Sequence, residues 1–351
     1  MKEAIERIYS KFRGVYSGTL LVEKSKDILF SAAAGEANMA YNITNKTNTK
    51  FDTASVTKIF TAASALLLVE EGLLCLDDKI TDVIDLRGTL IPEDVTIEQL
   101  LNHTSGIADD VEEEDGEEYS DLFVTKPNYS IRECVDFLPQ FVYKPPNFKA
   151  GTNVRYNNCA FILLGIAIEK ISGMPYREFV KKRIFEKCKM QDTLFCAMDE
   201  INTNTAEGYI SVVDQALGTN KWKKNIYSYP PIGTADSGAY TTVADLSAFI
   251  RSITDKELLT APFAKIFLEP HCPYTRPHRS GTWTTGYAFE FILTDEREVF
   301  CMFKDGLNAG VEAMVSYYPQ YDVTVNLLAN KNGVLYDIHK EIQAYFHALQ
   351  E

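Results

Sequence analysis

The spacing of apolar positions changes character along the chain, and each change marks an element. Lys2 to Phe12 alternates charged and apolar residues at helical spacing and predicts an N-terminal helix. Two short apolar strands follow, Gly18–Lys24 and Ile28–Ala34, joined across the polar turn Ser25-Lys26-Asp27. Strand signals then stop. Ser55 to Glu71 reads as one helix, with Ile59, Ala62, Ala63, Leu66 and Leu67 at helical spacing and Gly72 as its stop. Cys159–Ile171 is a second, strongly apolar helix closed by Ser172-Gly173. Pro175 suits the first turn of the next one, which runs to about Phe185. Strand patterns return at Thr285–Leu293, Glu298–Phe303, Val311–Tyr318 and Val323–Ala329, and a helix over about Tyr336–Leu349 ends the chain. Strands at both ends with helices between them predict an α+β fold. One antiparallel sheet (residues 1–54 and 200–351) is flanked by the terminal helices and interrupted by a mainly helical domain (55–199).

Composition narrows the class. With 351 residues, 46% hydrophobic and 24% charged, disordered and fibrous classes are excluded. The net charge of −14 argues against nucleic acid and anionic membrane surfaces as partners. No apolar run reaches the roughly 20 residues of a membrane span. Met1–Gly14 lacks the apolar core of an export signal, so the chain as written reads as cytoplasmic, and as exported only if a leader precedes it. The 7 cysteines are scattered without a Cys-x-x-Cys pair, which favours reduced thiols over a disulfide framework or a thiolate zinc site. Nine of the acidic residues and no basic one fall between Asp109 and Asp121, a segment expected to be a solvated surface loop, with a cation site or a lid over the active site as the alternatives.

Three short patterns could carry chemistry. Ser-x-x-Lys occurs once, at Ser55–Lys58, and places a hydroxyl and an amine on one face of a helix start. There the amides and dipole favour developing negative charge. Tyr-x-Asn, Tyr156–Asn158, precedes the apolar helix. Positive neighbours would turn such a tyrosine into a base, and the asparagine amide can donate to a carbonyl, although alone the tripeptide reads as a helix cap. Of three Lys-x-Gly occurrences, only Lys304-Asp305-Gly306 stands at the end of a strand, leading into a loop with Gly306 and Gly310 where backbone can approach a ligand.

In this order, Ser55-x-x-Lys58, Tyr156-x-Asn158 and Lys304-x-Gly306 resemble the three motifs of class C β-lactamases and the related penicillin-binding proteins and esterases. Phe51–Lys58, Leu100-Leu-Asn-His-Thr-Ser-Gly106, Asn158–Gly173 and Ser237–Leu246 resemble further family segments, the last with Thr242 and Asp245 as a variant capping box. The likeness runs from about Gly14 to the C-terminus. It implies the β-lactamase/transpeptidase-like fold, a catalytic cleft between sheet and helical domain, and a serine hydrolase acting through an acyl-enzyme. By resemblance, Ser55 is the nucleophile and Lys58 holds its proton network. Tyr156 is the general base and then the acid to the leaving group, its pKa lowered by Lys304, and Asn158 binds the substrate carbonyl side. The amides of Ser55 and Leu307 form the oxyanion hole, and Asp305 and Gly306 belong with them to the substrate-binding set. The implied partner is a small-molecule or short-peptide substrate, with no cofactor and no metal.

Two positions depart from the family pattern. Asp305 stands where Thr or Ser is usual and puts substrate identity in question, and Leu307 replaces a small residue and could narrow the cleft. A β-lactam, a D,D-peptide, a D-amino-acid amide and an ester all remain open, as does a slow-turnover penicillin-binding sensor of the same fold. A Ser-His-Asp hydrolase is disfavoured because no Gly-x-Ser-x-Gly exists in the chain. His271, Cys272 and His278 could be drafted into a metal site, but read as a solvated loop.

Overall fold

The computed structural model describes residues 1–214 and 218–350. Its centre is one antiparallel sheet of eight strands: β1 (Gly18–Lys24), β2 (Asp27–Ala34), β3 (Arg276–His278), β4 (Gly281–Thr285), β5 (Glu290–Leu293), β6 (Val299–Asn308), β7 (Val311–Tyr318) and β8 (Val323–Ala329). Their order across the sheet is β2-β1-β8-β7-β6-β5-β4-β3. The first hairpin therefore pairs with the last strand, Gly18 opposite Ala329 and Lys24 opposite Val323.

Because successive side chains in a strand point to opposite faces, the sheet builds two cores. Leu20, Val22, Met314, Val325 and Leu327 face α1 (Lys2–Phe12) and the C-terminal helix, whose Ile5, Ile8, Leu335, Ile338 and Ile342 complete that layer. Leu21, Ala313, Val315 and Leu328 face the other way, into a larger core with α2 (Lys58–Glu70) and α3 (Cys159–Ser172). Both helices are apolar nearly all round, and α2 is buried without interruption from Lys58 to Leu68. Gly173, at φ +69°, stops α3 in the left-handed conformation that glycine adopts without steric cost. Among the described residues no single helix is long and apolar enough to cross a membrane.

Sequence expectation and structure differ in five places. Thr285–Leu293 is not one strand: the chain turns at Gly286–Phe289, where Ala288 takes φ +63° and donates its N–H to Leu101 O. These residues are buried on the helical side, so hydrophobicity continues through a break in the backbone. The strand expected to end at Phe303 runs on to Asn308, and the turn comes only at Gly310. A hairpin of Tyr209–Asp214 with Thr219–Lys224 was not expected, since its second strand is exposed and nearly all polar; its connecting residues lie outside the described ones. Pro175 caps the helix starting at Tyr176 rather than entering its first turn. Thr242 does cap its helix, accepting from Asp245 N–H, but the Asp245 carboxylate serves Asp192 and Thr193 instead of closing a capping box.

Candidate active site

The Ser55 turn is shaped before α2 begins. Ala54–Thr57 forms a single tight turn with Ala54 at φ +43°, and the Asp52 carboxylate fixes it by accepting the Ala54 N–H at 2.7 Å. Thr53 Oγ1 donates to Ala239 O, and Thr57 Oγ1 accepts from Ala239 N–H, tying the turn to the segment before α4 (Val243–Thr254). From the other side, β6 presses against it. A Cβ on Gly306 would lie 2.2 Å from Thr53 O and 3.0 Å from Ser55 N, so only glycine allows this approach.

Three of the expected groups converge on one hydroxyl. Tyr156 Oη donates to Ser55 Oγ at 2.6 Å, and Lys58 Nζ lies 3.1 Å from the same oxygen. Lys58 is fully buried; its remaining N–H groups go to Asn158 Oδ1 and Asp236 O, both at 2.8 Å. Burial away from water brings its pKa down to about 8, against the pull of Asp236 and other acids. Lys304 also reaches the ring of Tyr156, its ammonium 4.9 Å from the ring centre, as is that of Lys58.

The expectation that Tyr156 has a lowered pKa is not met. Burial pushes it well above the usual phenol value, and the charge of Glu113 pushes it further. Lys304 cannot reverse this because it is already paired, 3.1 Å from Glu290 and 3.2 Å from Asp305. Asp305 in turn accepts from Tyr336 Oη at 3.1 Å. Partial burial raises the Asp305 carboxyl, but Lys304 outweighs that and holds it below the usual range. Asp305 thus lines the cleft while bound to its own neighbour. Asn158 heads α3, and its side-chain amide is shared between Lys58 and Glu113, which lies 3.5 Å from Nδ2. Leu307 is exposed at the cleft wall.

Sequence reasoning missed the acidic segment most clearly. Asp109 and Asp110 are buried, and Glu113 and Glu114 line the cleft. Asp109 accepts three backbone N–H groups, from Asn158 at 2.7 Å, Cys159 at 2.9 Å and Asp110 at 3.0 Å. Arg155 pairs with Glu112 and Asp115, and Glu114 accepts the Tyr156 N–H. A solvated loop would not be buried at one end and tied to the Tyr156 motif along its length; the available clue was a basic residue, Arg155, immediately before Tyr156. His103 packs against Tyr156 with ring centres 4.8 Å apart and the rings tilted by 37°, kept neutral by burial, and its Nδ1 accepts from Asn157 N–H. Among the described residues the compact set of metal-type ligand atoms is Asp109, Asp110 and Cys159, but Asp109 there is engaged as the cap of α3. His271 instead stacks on Tyr287, Cys272 is buried, and His278 reaches the cleft.

The cleft, about 580 Å³, holds Ser55, Tyr156 and Lys304 together with Arg276, Trp283 and Tyr336, a size that suits small-molecule ligands. The β-lactamase family profile matches residues 4–348. The chain belongs to the β-lactamase family. Within it, penicillin-binding protein 4* of Bacillus subtilis is 33% identical over 51% of this chain, and protein flp of Staphylococcus aureus is 26% identical over 90%. The chain spans only 38% and 59% of the lengths of these two relatives. A penicillin-binding protein from Bacillus halodurans has the same fold, with a TM-score of 0.89, 34% identity and coverage of 97% of this chain and 99% of its own. The fold also matches D-amino acid amidase from Ochrobactrum anthropi, at a TM-score of 0.78 and 18% identity, over 100% of this β-lactamase-family chain and 99% of the amidase.

Proposed function

We propose that this protein is a serine hydrolase that forms an acyl-enzyme on Ser55, in a cleft between the sheet part (1–54 and 200–351) and the helical part (55–199). The observation that carries the reading is the placement of Ser55 Oγ between Tyr156 Oη at 2.6 Å and Lys58 Nζ at 3.1 Å. Two of the three protons of the Lys58 ammonium are held by Asn158 Oδ1 and Asp236 O. The third direction, toward Ser55, can reverse. Once the ammonium has lost a proton, the amine lone pair accepts the serine hydroxyl proton.

The first step then balances as follows. Ser55 Oγ bonds to the substrate carbonyl carbon while its proton passes to Lys58, and the carbonyl electrons move onto oxygen. Backbone amides of Ser55 and Leu307 stabilise that oxyanion. Collapse expels the leaving group, which takes a proton from Tyr156, and Lys58 hands the proton it took from Ser55 to the tyrosinate. Water repeats the sequence to release the acid. Tyr156 is therefore assigned as acid and relay, with Lys58 as the resting base, because the phenol is held protonated and the amine is not far from neutrality. The substrate is a carboxylic ester, amide or lactam.

Intact-protein mass spectrometry after exposure to a penicillin, a D-alanyl-D-alanine peptide and a short-chain ester tests this. A wild-type adduct that is absent from Ser55→Ala is expected. An adduct retained in that variant, or a wild type that neither acylates nor hydrolyses the ester, overturns the proposal.

A further inference from the structure

The charged groups around the cleft are unevenly matched. Lys304 has Glu290 and Asp305, and Arg155 has Glu112 and Asp115. Glu113, Glu114 and Arg276 line the cleft without an ion-pair partner among the described residues. Glu113 and Arg276 have different neighbours. Glu113 faces Asn158 Nδ2 and acts electrostatically on Lys58, so it belongs to the Asn158 side of the nucleophile. Arg276 belongs to the Lys304 side: its guanidinium lies over Trp283 with 5.2 Å to the ring centre, Trp283 Nε1 donates to Glu290 at 2.7 Å, and Glu290 pairs with Lys304. Ser55 and Tyr156 line the same cleft.

We infer that Glu113 and Arg276 are the specificity residues of this cleft and that its substrate is a short zwitterion. A free ammonium beside the scissile carbonyl would meet Glu113, and a free carboxylate on the leaving group would meet Arg276. A dipeptide with both termini free has this chemistry. The inference rests on the hydrolase reading above and narrows its substrate. Two features of the cleft support the pairing. Glu113 is held at the rim by a segment anchored through Asp109 and Arg155, so its carboxylate is placed before substrate arrives. Arg276 keeps its planar face on Trp283 and spends one N–H on Val154 O, which fixes the guanidinium while leaving other N–H groups for a carboxylate. An N-acylated substrate would bring a neutral amide against Glu113 and lose that contact.

The test uses alanyl-alanine in its D,D and L,L forms, with the N-acetylated and C-amidated derivative of each, and a neutral p-nitrophenyl ester as reference. With the preferred isomer, kcat/KM should be roughly tenfold higher for the free dipeptide than for either derivative, the scale of one charge-assisted hydrogen bond. In Glu113→Gln, which keeps the contact to Asn158, the ratio of free to N-acetylated substrate should fall toward one through KM. In Arg276→Gln the ratio of free to C-amidated substrate should fall instead. Equal or better cleavage of the N-acetylated dipeptide by wild type overturns the inference. So does Ser55-dependent hydrolysis of the ester with no cleavage of any dipeptide, and in that case the hydrolase reading stands. Absence of both ester hydrolysis and Ser55 labelling overturns the hydrolase reading itself.

Discussion

The carboxylate of Asp109 grips the backbone of Asn158, accepting its N–H at 2.7 Å, and the other oxygen takes the next amide of α3. The acidic segment and the Tyr156–Asn158 motif are one mechanical unit. Asp109→Asn substitutes an NH2 group for one of the two accepting oxygens and turns it against a backbone donor. We expect a loss of about 1–3 kcal/mol in stability, the cost of a buried donor left unmatched. The acylation rate should fall further than the melting temperature predicts, since Asn158 also positions Lys58. Thermal melts alongside acylation rates check it, and a variant with wild-type values of both would separate the two segments.

The pH dependence of acylation reports the state of Lys58. The base needs its lone pair, and burial sets the ammonium pKa at about 8. The rate should therefore climb with pH and level off above about 8, with the rate at neutral pH at about a tenth of the plateau. In Tyr156→Phe the acid and relay are gone, and acylation should drop by roughly 100- to 10,000-fold. Its remaining rate should keep the same pH midpoint. A midpoint that disappears in the phenylalanine variant would move the titrating group to the tyrosine.

Asp305 and Lys304 are ion-paired at 3.2 Å within the cleft. Asp305→Thr removes one of the two carboxylates on Lys304 and leaves Glu290. A carboxylated substrate then meets more positive charge, and penicillin acylation should rise by about 5- to 30-fold, the equivalent of roughly 1–2 kcal/mol. Hydrolysis of a neutral ester should change far less. Parallel stopped-flow acylation measurements on both substrates decide this; equal changes for the two would take Asp305 out of charge selection.

Gly306 offers a steric test. A methyl group there meets Thr53 O at 2.2 Å and the amide of Ser55 at 3.0 Å, all backbone atoms with no side-chain end to give way. Gly306→Ala should cost about 1–3 kcal/mol in stability and should abolish acylation, because the strand must withdraw from the nucleophile turn. Denaturant unfolding together with mass-spectrometric labelling separates the two effects.

Much of this was legible from residue pattern alone. The first hairpin, the apolar helices α2 and α3 and the strands β7 and β8 follow their hydrophobic periods because each has a face, or all faces, in a core. Ser55, Lys58, Tyr156, Asn158 and Lys304 were marked by their spacing and meet in one cleft, or directly behind it. What was not legible has physical causes. Lys304-Asp305-Gly306 has the composition of a turn, yet stays in a strand because β7 pairs with it through Asn308 and Val311. The second strand of the hairpin, with Trp222, has no buried face to print an alternation. The acidic segment looked solvated since charge composition carries no record of the amides and the arginine that receive it.

The sheet order has one more consequence, in time rather than in space. β1 is sandwiched between β2 and β8, so the strand that leads toward Ser55 finds its second neighbour only at the far end of the chain. Gly306 likewise meets the Ser55 turn across most of the sequence. Closing such large loops is entropically slow and comes late in folding. β6 is synthesised long after Ser55 and Lys58, so the Ser55 turn cannot receive Gly306 until that strand exists. The hydrolase proposed here would therefore acquire the Leu307 amide of its oxyanion site only after most of this sequence had been made.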